Sequence, residues 1–389
     1  METSDKRSVR VRNLSALLTT VHRAGSSSRA ALTLATGLNR STVGALVGEL
    51  AELDLVTETQ PAAAGSVGRP SPVVVPSDRV VTAALVPEAD AVTVALVGLG
   101  GRVLGRRRMA HDTPPPAAEL PALTASALDE LREQTGQPRI AAMGVAVPGL
   151  VRASDGLVRL APHLGWQDAP LGSMLEEACA VPVLVANDAT LGAVAEAVFG
   201  AARGCTDAVY LNGGSSGIGG GILAGGAPLT GSAGYAGEFG HTHVSGGGKR
   251  DAAGVPGTLE SEVSRDTLLR LLGLQSADAD ALEAALLASG DLAVAAEVDR
   301  QLDHLATTVG TIVNILDPQV LVLGGFLAAL EAARPGRLAA LLADRALGAP
   351  LEGLSVRRAE LGSDILVIGA GELALGPLLA DPPSAAAAA

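Results

Sequence analysis

The positions of the apolar side chains along residues 13–53 predict three short helices. In the first, residues 13–24, they repeat at the spacing of one helical face, at Leu14, Leu17, Leu18 and Val21. Gly25 ends this helix, Ser28 can cap a second one over Arg29–Thr36, and a third runs from Arg40 to about Leu53. Two helices joined by a short turn that contains glycine form the helix-turn-helix pattern.

A hairpin after the third helix would complete a winged version of this unit. Strands are predicted at residues 55–58 and at Val73–Val75. Arg69 stands where a wing can enter a minor groove, and the third helix begins with small polar and cationic side chains suited to base edges and phosphates. The candidate DNA-binding residues are Ser28, Arg29, Asn39, Arg40, Ser41, Thr42 and Arg69. A three-helix unit can also be a protein-interaction domain, and the pattern leaves that alternative open.

From Val80 onward, apolar runs typical of strands alternate with helical patterns, which indicates an α/β architecture. Strands are predicted at Val80–Val86, Ala91–Val97, Ile140–Val147, Val181–Val185, Ala208–Leu211, Gly217–Ala224, Val320–Leu323 and Ile365–Ile368. Helices are predicted at Glu119–Thr135, Leu171–Ala180, Thr190–Phe199, Thr258–Leu272 and Leu292–Leu316. Pro148-Gly149, Asn187-Asp188 and Gly324-Gly325 each follow a predicted strand directly. Each pair could be only a turn, but ligands in such folds bind beyond the carboxyl ends of strands, so together they favour a cleft.

Glycine is unusually dense between Asn212 and Gly248, and this stretch ends with Glu238, His241 and His243. Such density allows positive φ and a close approach of the backbone to a ligand. A flexible linker is the alternative. Apolar residues recur throughout the stretch, however, and a linker does not need them.

The charge is unevenly distributed along the 389 residues. The net charge of −13 argues against a protein that simply coats nucleic acid. Residues 1–76 nevertheless hold eight basic and six acidic side chains, and no acid occurs from Lys6 to Gly48. A small basic head on a large acidic body predicts that only the head meets phosphate.

The composition predicts a soluble, cytoplasmic protein with large cores. Hydrophobic residues make up 48% of the chain and charged residues 18%, while aromatics are only 2%. Cys179 and Cys205 give no disulfide framework. We expect no signal peptide, because no apolar run follows the first charges, and no apolar run long enough to cross a bilayer.

Four blocks of the body resemble the ROK family of repressors, uncharacterised frames and sugar kinases. They are GVAVPGLV, APHLGW, VPVLVANDATLGAVAEAVFGAARG and GSSGIGGGILAGGAPLTGSAGYAGEFGHTHV, in family order. The resemblance implies an α/β, actin/hexokinase-like (ribonuclease H-like) body of two lobes behind a winged helix-turn-helix domain. The expected parts are 1–76, the DNA-binding domain; 77–190, the first lobe, completed by 363–380; 191–362, the second lobe with oligomerisation helices; and 381–389, a disordered tail.

The resemblance also implies a sugar site. Asn187 and Asp188 match the family's Asn-Asp pair, in which the Asp is the general base of the kinases. Glu238 and His241 match its E-x-G-H motif. Glu260 matches a Glu that reaches the sugar, and Gly149 matches the loop that closes over it. Ionised acids accept strong hydrogen bonds from hydroxyl groups, which suits a neutral polyol. The alternative is that Asp188 and Glu238 are helix caps or solvated loop acids.

Two stretches depart from the family pattern. Val86-Pro87-Glu88-Ala89-Asp90 stands where the kinases carry a glycine-rich phosphate turn, and it offers a proline and two acids instead. Asp251, Ala253 and Thr258 stand where three cysteines and a His usually hold zinc, so we expect no zinc site, although His241, His243 and Asp251 could in principle form one. Packing alone should then order this loop. His163 stands where Asn is frequent, which could alter the sugar preference.

We therefore expect a sugar-responsive transcriptional regulator, most readily a repressor, that has no enzymatic activity and needs no cofactor. Its partners would be a double-stranded DNA operator and a monosaccharide or sugar phosphate, and it would act as a homodimer or homotetramer. Two alternatives remain. One is a sugar kinase with an accessory head, and the other is a ligand-independent DNA-binding protein whose sugar site is vestigial.

Overall fold

The computed structural model describes residues 2–60, 71–214 and 216–388, and it begins with the predicted winged helix-turn-helix. The head contains α1 (Glu2–Ala24), β1 (Ser27–Ser28), α2 (Arg29–Thr36), α3 (Arg40–Glu52), β2 (Val56–Thr59) and β3 (Val73–Pro76). The three strands form an antiparallel sheet in the order β1-β3-β2. The apolar faces predicted for the helices meet in one buried cluster. The tip of the wing, including the predicted DNA contact Arg69, lies outside the described residues.

The next part of the chain builds a five-stranded sheet and a small three-stranded sheet. Its elements are β4 (Val80–Pro87), β5 (Ala91–Gly98), β6 (Arg102–Ala110), α4 (Leu120–Gln134), β7 (Arg139–Val147), β8 (Leu150–Arg152), β9 (Leu157–Ala161), β10 (Trp166–Ala169), α5 (Leu171–Cys179) and β11 (Val183–Asn187). The large sheet has the order β11-β7-β4-β5-β6, with β4 parallel to β7 and β7 to β11. The small sheet has the order β10-β9-β8. The carboxyl ends of β7 and β11 therefore lie side by side.

The second half repeats this topology. Its elements are α6 (Asp188–Phe199), β12 (Ala208–Gly214), β13 (Gly217–Ala224), β14 (Ala227–Pro228), α7 (Leu259–Glu262), α8 (Arg265–Leu271), α9 (Ala279–Ala288), α10 (Leu292–Leu316), β15 (Val320–Gly324), α11 (Gly325–Ala333), α12 (Arg337–Leu342), α13 (Gly348–Gly353), β16 (Ser355–Arg358), α14 (Ile365–Ala380) and α15 (Pro382–Ala388). The sheet order is β14-β13-β12-β15-β16, with β12 parallel to β15 and β15 to β16. In both sheets the first strand is central. On one side of it lie two strands that are each antiparallel to their inner neighbour, and on the other side lie two strands that are each parallel to theirs.

Two helices tie the body together. The predicted lobe boundary at residue 190 falls inside α6, which packs against both β12 and β13 and against α14. α14 in turn covers β4 and β7 of the first sheet. A Cβ atom on Gly144 of β7 would lie 1.9 Å from the Ala370 carbonyl oxygen, so glycine is what lets α14 approach the sheet this closely.

Three sequence predictions about local structure are wrong. Residues 365–368 begin helix α14 instead of forming a strand. A short apolar run cannot separate a buried strand from a helix that is buried around most of its circumference. The predicted helix Thr258–Leu272 is two short helices, α7 and α8. The expected disordered tail contains helix α15, whose Ala385 packs against the apolar cluster of the head.

The expectation that no apolar run could span a bilayer also needs correction. Among the described residues, one helical stretch, Gly362–Ala380, is long and apolar enough by length and composition. Half of its most apolar window is buried inside the protein, and it contributes α14 to the core between the first sheet and α6. Its hydropathy is that of a core helix.

Candidate functional site

A cavity of about 230 Å³ opens between the two large sheets. The six predicted sugar-site residues all line it: Gly149, Asn187, Asp188, Glu238, His241 and Glu260. It lies beyond the carboxyl ends of β7, β11 and β12, as the sequence predicted for residues that follow strands. The predicted pair Gly324-Gly325 lines a neighbouring hollow and not this cavity.

Asn187 and Asp188 form the N-terminus of α6 at the cavity wall. The side-chain oxygen of Asn187 caps the helix by accepting the Thr190 N–H at 3.0 Å, and its amide nitrogen donates to the Gly149 carbonyl at 3.1 Å. Both polar atoms of Asn187 are therefore engaged, and the residue fixes the 148–149 loop against the helix. Asp188 Oδ1 accepts the Ala189 N–H at 2.8 Å, and no other residue of the described part of the chain donates a hydrogen bond to this side chain, which lines the cavity.

The environment of Asp188 favours its neutral form. Burial raises the pKa of Asp188 to about 7, against an opposing hydrogen bond from the Ala189 N–H. The charges of Glu238 and Glu88 raise it further. A carboxyl group with a pKa near neutrality can take a proton from a hydroxyl group or return one.

Glu238 presents a carboxylate that has no side-chain hydrogen bond within the described parts of the chain. Its nearest cation is His241, whose Nε2 lies 3.9 Å away. Burial raises the pKa of Glu238; His241 opposes this and Glu260 adds to it. The alternative that Glu238 caps a helix is not what the structure has, because no side-chain cap bond forms at the 3-10 turn Phe239–His241.

Glu260 reaches the cavity because a glycine makes room for it. Its carboxylate accepts the Ile218 N–H at 3.0 Å and, more weakly, the Ala252 N–H at 3.4 Å. A Cβ atom on Gly217, where φ is +108°, would lie 2.0 Å from the Glu260 Oε2. The glycines of β13 thus allow a side chain of the protein, as well as a ligand, to approach the strand backbone closely.

The loop where the family's zinc would lie is held by a buried carboxylate. The side chain of Asp251 is fully buried and accepts hydrogen bonds from His241 Nδ1 at 2.8 Å, Thr258 Oγ1 at 2.9 Å and the Val255 N–H at 2.8 Å. The expectation that packing alone orders this loop is therefore wrong. Burial opposes the charged form of His241, but the hydrogen bond to Asp251 and the charges of the nearby acids leave its pKa raised. The three hydrogen bonds lower the pKa of Asp251 against its own burial.

The same contacts decide whether zinc fits. Asp251 forms hydrogen bonds with both Thr258 and His241. The atoms that could bind a metal are therefore used within this network. Ala253 offers no ligand atom, and no group of three His, Cys, Asp or Glu side chains suited to a metal occurs in the described part of the chain. Zinc needs about four such ligands, and the residues present do not fit it.

The turn that replaces the phosphate turn is acidic and internally bonded. The Glu88 N–H donates to the Ala91 carbonyl at 2.7 Å, and Asp90 pairs with Arg108 at 2.8 Å. Burial and the neighbouring Asp90 raise the pKa of Glu88. The charge of Glu88 also contributes to the raised pKa of Asp188. Glu88 and Asp90 thus stand where a glycine-rich turn would offer backbone hydrogen-bond donors to a phosphate, and Arg108 pairs with Asp90 beside them.

In the head, four of the six described candidate DNA-binding residues make side-chain hydrogen bonds within the domain: Ser28, Arg29, Asn39 and Ser41. Ser28 caps α2 through the Ala31 N–H, and Asn39 caps α3 through the Thr42 N–H and the Ser41 hydroxyl. Arg29 makes a two-pronged pair with Glu58 of β2, at 2.5 and 2.7 Å. Arg40 is exposed at the first turn of α3 and has no ion pair among the described residues.

Several cavity residues were not among the predicted site residues. Asn212, at the end of β12, lines the cavity, as do Leu150, Leu160, Ala252 and Ala253. Asn212 begins the glycine-rich stretch, so its place after a predicted strand could have found it. His163, noted only as a departure from the family, also lines the cavity.

Comparison with known proteins agrees with this architecture. The "Xylose repressor" of Bacillus spizizenii is 26% identical over 332 residues, covering 83% of this chain and 84% of its own. The "Glucokinase" of Halalkalibacterium halodurans is 31% identical over 248 residues, covering 59% of this chain and 75% of its own. The crystal structure of a "ROK family transcriptional regulator", a homologue of the E. coli Mlc protein, superimposes with a TM-score of 0.78 at 22% identity. It covers 97% of this chain and 99% of its own.

The family model named "ROK family" matches residues 89–376, which is most of the body. This match and the actin-like pair of sheets confirm the resemblance and the fold class inferred from the sequence. The chain belongs to the ROK family.

Proposed function

We propose that this protein is a sugar-responsive transcriptional repressor. Its head would bind a double-stranded DNA operator, and its cleft would bind a monosaccharide or sugar phosphate. One observation carries the proposal. A single chain joins a winged helix-turn-helix with an exposed Arg40 to a cavity where the carboxyl groups of Asp188 and Glu238 keep oxygens that no described protein group occupies and that hydroxyl groups can bind. The similarity to a xylose repressor over 83% of the chain supports it.

A sugar kinase is the second candidate, and Asp188 favours it. A base with a pKa near 7 suits abstraction of a hydroxyl proton, and one similar protein is a glucokinase. The turn at Val86–Asp90 argues against phosphoryl transfer. It places Glu88 and Asp90 beside the cleft, and the Glu88 N–H is already bonded. We infer that the cleft binds sugar without transferring phosphate, and that no cofactor takes part.

We further propose that the protein acts in the cytoplasm as a homodimer or homotetramer. Two heads related by two-fold symmetry would bind a pseudo-palindromic operator with half-sites one or two helical turns apart. The sugar would change operator affinity only if it binds with different affinity to the conformation that binds DNA and to the conformation that does not.

The test has two arms on the full-length protein. In the first, the purified protein selects genomic DNA fragments at moderate and at higher salt. We expect enrichment of a two-fold symmetric site that survives the added salt, whereas weak retention that collapses with salt would contradict sequence-specific binding.

In the second arm, D-glucose and D-xylose are titrated by calorimetry, and ATP turnover is measured with each. We expect binding of at least one sugar, a changed affinity for the selected DNA, and no ATP turnover. Sugar-dependent turnover that Asp188→Asn abolishes would establish the kinase instead. DNA binding without any sugar response would leave a regulator with a vestigial sugar site.

A further inference from the structure

The head shares its hydrophobic core with the body. The buried cluster around Leu14, Leu17 and Leu50 continues into Leu99, between β5 and β6, and into Leu375 of α14. Displacing the head as a rigid unit would expose this apolar surface to water. Its orientation is therefore set by contacts with particular body elements and not by a free linker.

His22, near the end of α1, is the polar centre of this junction. It is 1% exposed. Its Nδ1 accepts the Gly100 N–H at 3.0 Å, so the proton of the neutral ring lies on Nε2, which donates to Glu372 Oε2 at 3.0 Å. His22 thereby joins the head to the β5–β6 turn and to α14.

The Glu372 carboxylate is incompletely satisfied. Its other oxygen, Oε1, is buried and has no hydrogen-bond partner among the described residues. Leaving a buried acceptor unsatisfied carries a free-energy cost for the arrangement that buries it. This cost brings the observed junction closer in energy to other arrangements, so a small additional bias can shift it.

Helix α6 leads from the cleft to the same histidine. Asn187 and Asp188 stand at its start in the cavity wall, and Phe199 is its last residue, about 18 Å away for twelve helical residues. The Phe199 ring packs edge-on against the His22 ring with centroids 5.3 Å apart. Just beyond the helix, Arg203 donates to the Arg23 carbonyl at 3.2 Å.

Helix α14 is locked to α6 and carries the second attachment. A Cβ atom on Gly369 of α14 would lie 2.4 Å from the Leu191 carbonyl of α6, so the two helices are in backbone contact. Three residues further along α14, Glu372 holds His22. A displacement of α6 would therefore reach His22 through Phe199 and through Glu372 together.

We propose that α6 transmits the occupancy of the cleft to the DNA-binding head, with Phe199 and Glu372 as the positioning residues that act on His22. This inference rests on the proposed sugar-responsive function. A sugar that binds Asp188 would bias the start of α6, and the orientation of the head would follow at its other end. No contact between the sugar and the head is needed.

The experiment measures a coupling factor, the ratio of the dissociation constants for the selected operator with and without saturating D-glucose or D-xylose. It compares the full-length wild type with Phe199→Leu, Glu372→Gln and a control. Leu292→Ala is the control because it truncates an 84% exposed side chain on α10, away from the junction. Calorimetry of the sugar and a melting curve are recorded for each variant.

We expect Phe199→Leu and Glu372→Gln to keep sugar affinity and sugar-free operator affinity within about threefold of wild type. Their coupling factor should fall to about twofold or less, from a wild-type value in the usual range of about 5–150-fold. A purely structural role would lower the melting temperature and both affinities while leaving the ratio unchanged. Leu292→Ala should keep the wild-type ratio.

Variants that keep the full wild-type ratio would overturn the route through α6 while the proposed function stands. Loss of sugar affinity in Phe199→Leu would also overturn it, because Phe199 would then shape the cleft. A wild-type protein whose operator affinity ignores both sugars would overturn the sugar-responsive function and this inference together.

Discussion

The cleft and the head use similar polar residues for different ends. In the cleft, Asp188 and Glu238 keep oxygens that no described protein group occupies, and they line the cavity. In the head, Ser28, Asn39 and Arg29 are each bonded within the domain. The difference teaches that a residue type suited to a ligand becomes a binding group only where the fold leaves its polar atoms unpaired.

Removing the carboxylate with the fewest hydrogen bonds, that of Glu238, should weaken sugar binding more than any other change proposed here. Glu238→Ala should weaken the binding of D-glucose or D-xylose at least about 100-fold, because a charge-assisted hydrogen bond to a hydroxyl group is lost in a partly buried site. Isothermal titration calorimetry measures this. Glu177→Ala, an exposed acid on α5, is the matched control. An unchanged affinity in Glu238→Ala would remove Glu238 from the binding groups and weaken the contrast with the head.

The second prediction concerns Asp188 and pH. Because its pKa is raised to about 7, Asp188 is protonated in the folded protein but ionised in the unfolded chain between about pH 4 and pH 7. The folded state then binds more protons, so the free energy of unfolding falls as pH rises through this window. Above pH 7 the full cost of ionising a buried carboxyl group is present.

Asp188→Asn should therefore stabilise the protein more at pH 8 than at pH 4. The expected gain is about 2 kcal/mol, less than the full shift implies, because the side chain is partly open to the cavity. The asparagine keeps the oxygen that accepts from the Ala189 N–H. Calorimetric melting at several pH values measures the gain. A gain that is the same at every pH would mean that Asp188 has an ordinary pKa.

Asp251 precedes the cavity-lining Ala252 and Ala253, but its carboxylate is fully engaged in hydrogen bonds, as the capping groups of the head are. Asp251→Ala removes the acceptor of three donors and should lower the free energy of unfolding by about 2 kcal/mol. Denaturant unfolding checks this. Asp344→Ala, an exposed acid, should change it by less than about 0.5 kcal/mol. Equal changes in the free energy of unfolding of the two variants would mean that the hydrogen bonds to Asp251 do not stabilise the protein.

Arg40 differs from Arg29, since it is exposed and has no ion pair among the residues that the structure describes. Arg40→Ala should weaken operator binding about tenfold or more and, if it contacts phosphate, reduce the salt slope by about one. Fluorescence anisotropy at several salt concentrations measures both. Arg159→Ala, which removes a surface arginine from the body, is the control. Full operator affinity in Arg40→Ala would exclude the start of α3 as the recognition element.

The smallest expected effect is none at all. Prolonged chelation should leave the melting temperature and the sugar affinity unchanged, because Asp251 stands in for the metal. Differential scanning calorimetry before and after chelation checks this. A lowered melting temperature, together with zinc detected in the untreated protein, would mean that the loop holds a metal after all.

Local signals in the sequence predicted most elements and the meeting of the site residues. Helical spacing identified α1 and α3, and the rule that ligands bind at strand ends brought Asn187 and Gly149 together. β6 was missed because its residues are polar and arginine-rich, with most side chains exposed, so no apolar run marks it. The sequence pattern predicts a strand at the first turn of α14, because burial on several sides erases the helical period of its apolar residues.

The contacts made by individual polar atoms could not be predicted from sequence. Asp251 was seen only as a lost cysteine, and its three bonds depend on a loop that brings residues 241 and 258 to it. The sequence alone offers Arg29 as a phosphate ligand, whereas the fold pairs it with Glu58. Such pairings arise from tertiary geometry, where a few tenths of an ångström decide whether a bond forms.

The buried Asp251 has a consequence for how the protein meets its surroundings. Residues 241–258 contain no cysteine. A loop held together by a carboxylate therefore has no thiolate that can be oxidised and needs no bound ion for its order. Its order therefore depends neither on the zinc supply of the cell nor on oxidative stress. A sugar-responsive regulator of the proposed kind would therefore respond to the sugar in its cleft independently of metal starvation and of oxidants.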